Sequence, residues 1–277
     1  MAKGVELYNL VEDISESRNL AAAEPGKVEE LDASVGRVLK ALRDAGVERD
    51  TLVLFTSDNG PFLSYGARAG SAGPLREGKL TAFEGGVREP LIARWPGTIP
   101  AGRNSDAFIT ALDILPTLAR LISAKLPAAK IDGQNLSDLL LGKPGAKGRD
   151  TFFYYSGEEL QTVRLGRWKL HAHHDYLTVA GAPGMGGKPA NFANMKPNAI
   201  EESGIRGIAS RHGYEVKQIE QSLFDLETDP GETHDLASAN PAIVSRLLGL
   251  AAEARQDLGD SITGAMGKNV RPAGGAK

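Results

Sequence analysis

Apolar residues along the chain follow two kinds of spacing, and the change between them predicts the elements. From Val28 through Leu31, Val35, Val38, Leu39 and Leu42 they recur at three- and four-residue steps, one face of a helix. Gly46 is placed to end that helix. Thr51-Leu52-Val53-Leu54-Phe55-Thr56 follows, a nearly continuous run of β-formers that predicts a strand buried in the middle of a parallel sheet. Helix, short loop and buried strand make half of a βαβ unit, so this part of the chain reads as α/β. Residues 60–104 are rich in Gly and Pro and hold one more candidate strand, Pro90–Trp95. A loop region of that length inside a domain points to function or disorder.

Helical spacing returns over Asp113–Leu121, with Pro116 early enough to sit in the first turn. Phe152–Tyr155 and Thr162–His171 then read as strands, the second turning at Gly166. Residues 177–210, rich in Gly, Ala and Asn, predict a mobile loop. Leu223–Leu226 predicts a short strand, Pro241–Leu258 a helix with proline in its first turn, and the residues from Gly264 onward a disordered tail. Residues 7–31 align without a gap to residues 223–247, with about ten of the twenty-five positions identical. Two copies are too few for a solenoid, so a duplication or fusion is the expected origin.

Composition narrows the function classes. Against 35 Asp and Glu there are 32 Lys and Arg, a formal net charge of −3, which argues against a general nucleic-acid binder. The chain has no cysteine, which excludes disulfides, thiolate zinc sites, iron–sulfur clusters and a cysteine nucleophile within it. No apolar run approaches the roughly 18 residues of a membrane span, and the first residues show no apolar core of signal-peptide length. The expectation is a soluble protein with no membrane partner and no readable address.

The chemistry centres on Ser57-Asp58-Asn59-Gly60, at the end of the Thr51–Thr56 strand. Ligands of open α/β sheets sit beyond the carboxyl ends of strands. Adjacent Asp58 and Asn59 side chains present oxygens suited to a hard cation, Ca²⁺ or less readily Mg²⁺. The same tripeptide also makes an ordinary Asx-turn or helix cap. Downstream come Gly73-Pro74-Leu75-Arg76-Glu77-Gly78-Lys79, then Phe83-Glu84-Gly85-Gly86-Val87-Arg88-Glu89-Pro90, then Ala93-Arg94-Trp95-Pro96-Gly97. In this order and spacing the segments resemble the sulfatase family, closest to the arylsulfatases of the alkaline-phosphatase-like superfold. The helix before the Thr51–Thr56 strand, residues 109–121 and residues 223–236 resemble family segments as well, so that the likeness runs over about residues 32–258.

The resemblance implies a partial alkaline-phosphatase-like α/β/α sandwich followed by a small α+β domain whose antiparallel sheet packs on a helix. The implied divisions are 1–31 for the extra copy, 32–125 for the core remnant, 126–263 for the second domain and 264–277 for the tail. It implies that Asp58 and Asn59 are metal ligands, usually for Ca²⁺. It also implies that Lys79 grips a sulfate oxygen, a role a compact ammonium can fill as charge moves to a leaving alkoxide. Arg76 and Arg88 read as scaffold residues pairing with Glu84 or Glu89, and Glu84-Gly85-Gly86 as the support of the Lys79 loop. His171, His173 and His174 follow Arg167-Trp168-Lys169-Leu170; alternation would put His171 and His173 on one strand face. By resemblance this region lines the outer substrate pocket, which makes His173 a candidate substrate contact. Asp225 and Asp229 read as turn residues making local hydrogen bonds.

The family also needs an early acidic metal pair and a Cys- or Ser-x-Pro-x-Arg segment whose first residue becomes formylglycine. No such segment occurs in the 277 residues. The leading expectation is therefore a sulfatase-family hydrolase of small sulfate esters or sulfated glycans, with weak or absent activity in this chain alone. The alternative is a non-catalytic remnant or interaction module that pairs with another chain, including a copy of itself. A phosphatase or phosphodiesterase of the same superfold is the third reading, against which Asn59 speaks, since those sites usually prefer a histidine near the second metal position.

Overall fold

A computed structural model of the chain describes residues 25–64, 71–179 and 200–271. Helix α1, Pro25–Asp44, carries the three- and four-residue apolar spacing. It ends where Gly46 takes φ +71°, with the Gly46 N–H on Arg43 O and the Val47 N–H on Leu42 O, the paired bonds of a Schellman turn. Strand β1, Val53–Thr56, follows. After a long wound segment comes the single turn α2, Glu84–Val87, and then strand β2, Leu91–Arg94. β1 and β2 pair antiparallel, Val53 opposite Arg94 and Thr56 opposite Leu91. Helix α3, Ile114–Leu121, is entered through a 3₁₀ turn at Ala111–Asp113, and the single turn α4 spans Ser137–Leu140.

The second half is built on antiparallel pairs. Strands β3 (Thr151–Ser156), β4 (Glu159–Leu165) and β5 (Trp168–His171) run in sequence order. β6 is His174–Thr178, helix α5 Ile200–His212, β7 Glu215–Ile219 and β8 Ser222–Asp225. Helix α6, Pro241–Leu258, leads into the short pair β9, Gly259–Asp260, and β10, Ala265–Met266. The main sheet has the order β3-β4-β5-β8, and β6 pairs with β7 beside it.

The register explains the core. Val163 lies opposite Leu170, and Leu170 opposite Leu223, so these three form a row across β4, β5 and β8. The row packs with Leu160 against Val244, Leu247, Ala251 and Ala254 of α6. The four α6 residues fall at steps of three and four, the spacing that aligns a helix face. Side chains of a strand alternate between faces. On β5, therefore, Lys169 and His171 point away from α6, toward the segment that carries the candidate site.

Three expectations are corrected. β1 is not a strand buried within a parallel sheet: among the described residues it pairs with β2 alone, and Phe55 is 57% exposed. Its apolar composition asks for burial on both faces, but this part of the chain lays only one strand beside it. The loop expected over residues 177–210 begins inside β6 and ends inside α5, whose only interruption is Gly204 at φ 56°; residues 180–199 between them lie outside the described residues. The tail is ordered through Arg271, because β10 pairs with β9 and Arg271 bonds both Asp132 and Asp257 at 2.7 Å. Of the repeat, the first copy lies outside the described residues up to residue 24, and its end forms the start of α1.

Candidate functional site

The end of β1 and the loop after it enclose an open pocket of about 400 Å³, lined by Ser57, Asp58, Asn59, Gly60, Lys79 and Glu89 among others. Asp58 and Asn59 face each other, the Asn59 amide donating to Asp58 Oδ2 at 2.7 Å. Ser57 Oγ donates to Asn59 O at 3.0 Å, which closes the turn. Lys79 lines the same pocket. Its backbone N–H donates to Pro61 O at 3.0 Å, and its Nζ stands 5.7 Å from the Phe62 ring centroid, within cation–π range. Asp58, Asn59 and Lys79 thus meet at one opening, although about twenty residues of winding chain separate them.

That winding is tight. The Gly60 N–H donates to Gly86 O, and a Cβ on Gly60 would lie 1.8 Å from Gly85 O. A Cβ on Gly85 would lie 2.1 Å from Glu77 O, and the Gly85 N–H donates to Arg76 O. Glycine is required at both positions because two backbones touch there. Glu77 and Leu80, on either side of Lys79, take left-handed φ values of 56° and 74°. Each such residue costs about 1–3 kcal/mol and persists only where its surroundings hold it. Here Glu77 Oε1 accepts from Thr178 at 3.0 Å, and Thr81 Oγ1 donates to Gly78 O at 2.8 Å. Burial raises the Glu77 carboxyl above the ordinary carboxylate range, against the Thr178 bond and the Arg76 charge.

Beneath the pocket lies a buried charged cluster. Lys169 Nζ is 2.9 Å from Glu84 Oε1 and 3.2 Å from Glu232 Oε1, with all three side chains at most 1% exposed. His171 Nε2 meets Glu232 Oε1 at 2.8 Å, and Glu232 Oε2 accepts the Glu84 backbone N–H at 2.6 Å. Phe83 stacks on His171 with centroids 4.6 Å apart, and the Arg76 guanidinium lies 4.1 Å over Phe83. Burial lowers His171 to about 3 despite the Glu232 carboxylate, so its ring is neutral and donates through Nε2. Burial opposes the Glu232 charge, yet Lys169 and the His171 bond hold it at about 2. Burial likewise opposes the Lys169 charge, and the two carboxylates raise it nonetheless.

His173 is exposed, its Nδ1 3.1 Å from Glu220, and does not line the pocket. It does not share a face with His171, because Ala172 and His173 form the bend between β5 and β6; His171 instead stacks with His174, centroids 5.4 Å apart. Arg88 approaches Glu84 at 3.7 Å, while Arg76 donates to Glu232 O and to the Tyr176 hydroxyl. Asp225 is bridged by Arg167, and Asp229 accepts the N–H groups of Thr233 and His234.

Sequence reasoning did not single out Glu89 as a pocket residue. Thr56 lies opposite Leu91, so continuing that register two residues beyond the sheet brings position 89 alongside position 58. Glu89 lines the pocket, and its Oε1 is buried without a hydrogen-bond partner among the described residues. Burial, then the Asp58 charge, raises its carboxyl. The carboxylate and carboxamide oxygens of Asp58 and Asn59 suit a hard cation. They are an incomplete set, since among the described residues no group of three or more His, Cys, Asp or Glu is arranged to hold a metal.

Comparison with known proteins identifies the family of the chain. A family model described as Sulfatase matches residues 12–124, and one described as the C-terminal region of aryl-sulfatase matches residues 147–273. Human arylsulfatase A is 39% identical over 232 residues, covering 79% of this chain and 40% of the relative. Mouse steryl-sulfatase is 36% identical, over 79% of this chain and 34% of the relative. The solved structure of the PsFucS1 sulfatase from Pseudoalteromonas sp. superposes with a TM-score of 0.61 at 25% identity, over 81% of this chain and 40% of that one. The chain spans about two fifths of the length of the curated relatives it matches. It belongs to the sulfatase family, of which it carries the C-terminal portion.

Proposed function

We propose that the pocket between Ser57–Gly60 and Lys79 is the late metal-binding and sulfate-facing part of a sulfate-ester hydrolase site. Its substrates would be small sulfate esters or sulfated glycans. The observation that carries this reading is the convergence of Asp58, Asn59 and Lys79 on one opening. Asp58 and Asn59 would hold the cation, Ca²⁺ before Mg²⁺ because the donors are oxygens on an open loop. A cation bound there supplies positive charge to the sulfuryl oxygens. Lys79 supplies a second positive charge at the same opening, where its ammonium can bond a sulfuryl oxygen and neutralise charge developing toward the leaving alkoxide. The wound glycine segment fixes the separation of the two charges before substrate arrives. His173 is proposed as a contact only for an extended substrate, since it stands outside the pocket.

Two side chains supply a fraction of the roughly six to eight oxygens Ca²⁺ takes. The chain's sequence also holds no formylglycine precursor segment, so the covalent route to ester cleavage is closed to these residues by themselves. Binding of inorganic sulfate with calcium present, followed by calorimetry or NMR, tests the site. Lys79→Ala should weaken it about tenfold, the loss of one charge-assisted bond. Equal binding by the variant would overturn the assignment. Hydrolysis of a chromogenic aryl sulfate by the chain is expected to be undetectable; turnover that vanishes in Lys79→Ala would show the chain to be active by itself.

A second reading, an interaction module that pairs with another chain, is favoured by one observation. Phe55 and Ile92, opposite each other on β1 and β2, expose 57% and 61% of their surface.

A further inference from the structure

The Lys169–Glu84–Glu232–His171 cluster is costly to bury and touches no part of the pocket directly. Taking charges out of water costs several kcal/mol each, and a well-packed apolar set in their place is often no less stable. Its geometry points to a positional role. Glu232 comes from the turn after β8, at a left-handed φ of 50°, and its two carboxylate oxygens are fully used. One takes the Glu84 N–H; the other takes His171 Nε2 and Lys169 Nζ. The backbone that follows Glu84 underlies both lips of the pocket. Gly85 N–H bonds Arg76 O beneath the Lys79 lip, and Gly86 O takes Gly60 N–H beneath the Asp58–Asn59 lip. A Cβ on Gly86 would lie 2.4 Å from Gly78 O, so this turn is in contact with the residue that precedes Lys79.

We propose that Glu232, held by Lys169 and His171, is a positioning residue for Lys79: its carboxylate anchors the Glu84–Gly86 turn on which both the lysine lip and the metal-ligand lip are wound. The inference rests on the sulfate-binding reading of Lys79. It gives the C-terminal sheet a part in that site, since two members of the anchor, Lys169 and His171, stand on the face of β5 turned away from α6. Two of the left-handed residues lie at the anchor: Glu232 is part of it, and Glu77 follows Arg76, whose carbonyl accepts the Gly85 N–H.

The test uses the full chain and two variants. Glu232→Gln keeps the shape and removes the charge; Glu232→Asp keeps the charge and shortens the reach to the Glu84 N–H. Amide hydrogen exchange is followed at Gly60, Lys79, Glu84 and Gly85, and inorganic sulfate affinity is measured in the wild-type and Lys79→Ala backgrounds. Both variants should lose protection at these four amides on the order of tenfold, as expected for loss of a charge-assisted bond, while the β4–β5 amides keep theirs. Measured without calcium, so that only the lysine lip is read, sulfate binding should weaken in either Glu232 variant when Lys79 is present and stay unchanged in Lys79→Ala; equal losses in both backgrounds would mark a general structural role and overturn the proposal. Unchanged protection and unchanged affinity in a folded variant would overturn it too, with the sulfate reading left standing. If wild-type chain ignores sulfate, or binds it without regard to Lys79, the sulfate reading falls and the exchange pattern alone decides the positioning. Should neither variant fold, wild-type exchange decides: a Lys79 amide as protected as that of Glu84 supports the anchor, and one exchanging with the exposed loops refutes it.

Discussion

At the scale of single residues, the site depends on groups whose neighbours were not readable from their place in the chain. Asp58, Asn59 and Lys79 were legible because motif and spacing mark them. Lys169 and His171 were not, because two polar residues alternating with apolar ones on a strand read as a solvent-facing edge. In the fold that face is covered by Phe83, Glu84 and Tyr154 and is fully buried. Lys169→Ala should cost about 3–5 kcal/mol in urea unfolding, since it strands two buried carboxylates. Acid should act through the same cluster. His171 is held near 3 against an ordinary 6.5, so the unfolded chain takes up a proton that the fold refuses; stability is complete above pH 6.5 and falls as pH drops from there toward 3. Glu232, near 2 against an ordinary 4.5, adds stability above pH 4.5 that is lost as pH falls through 2. Between pH 6.5 and 4.5 the slope should be up to about 1.4 kcal/mol per pH unit for each histidine that stays neutral. Burial also lowers His174, so His171→Gln should remove part of that slope; an unaltered slope would show that His171 titrates normally. Gly60→Ala should destabilise the chain by several kcal/mol, because its Cβ would meet a carbonyl oxygen 1.8 Å away and neither backbone can yield cheaply.

At the scale of elements, the helix periods held up well. The 3.6-residue pattern located α1, α3 and α6, and the Gly46 cap was found where the pattern ends. Strands β1 to β5 and β8 were legible too, including the β4–β5 turn at Gly166, where φ is 57°, whereas β6, β7, the β9–β10 pair and helix α5 were not. What strands pair with was not, because apolar content records how much burial a strand wants and not which neighbour supplies it. The consequence is a sharp contrast between two apolar surfaces. Leu247 is fully buried between α6 and the main sheet, and Leu247→Ala should cost about 2–5 kcal/mol in chemical denaturation. Val38 belongs to an equally regular apolar stripe on α1 but is 58% exposed, so Val38→Ser should stay within about 0.5 kcal/mol.

At the scale of the whole molecule, the four-stranded sheet is closed by α6, while the β1–β2 pair leaves large apolar side chains exposed. Phe55 and Ile92 lie opposite each other on β1 and β2 and are both more than half exposed, an apolar pair of the kind found where another protein makes contact. The interaction-module reading therefore predicts association: light scattering should give a mass that rises with concentration, and Phe55→Glu with Ile92→Glu should hold it at the monomer. A constant monomer mass for the wild-type chain would remove that reading and leave the pocket unaffected. Among the described residues no helix is long and apolar enough to cross a membrane.

The sequence by itself determined the family, most of the elements and three of the side chains that line the pocket, because helix period, strand composition and motif spacing are local properties carried by neighbouring residues. Only the tertiary structure decided that Glu89 stands beside Asp58, that Lys169 and His171 lie inside and not at a wet edge, that His173 points elsewhere, and that the turn of Glu232 reaches under the Lys79 loop. Those facts depend on strand register and on which face of a sheet is covered, and both are set by contacts between residues up to about 150 positions apart.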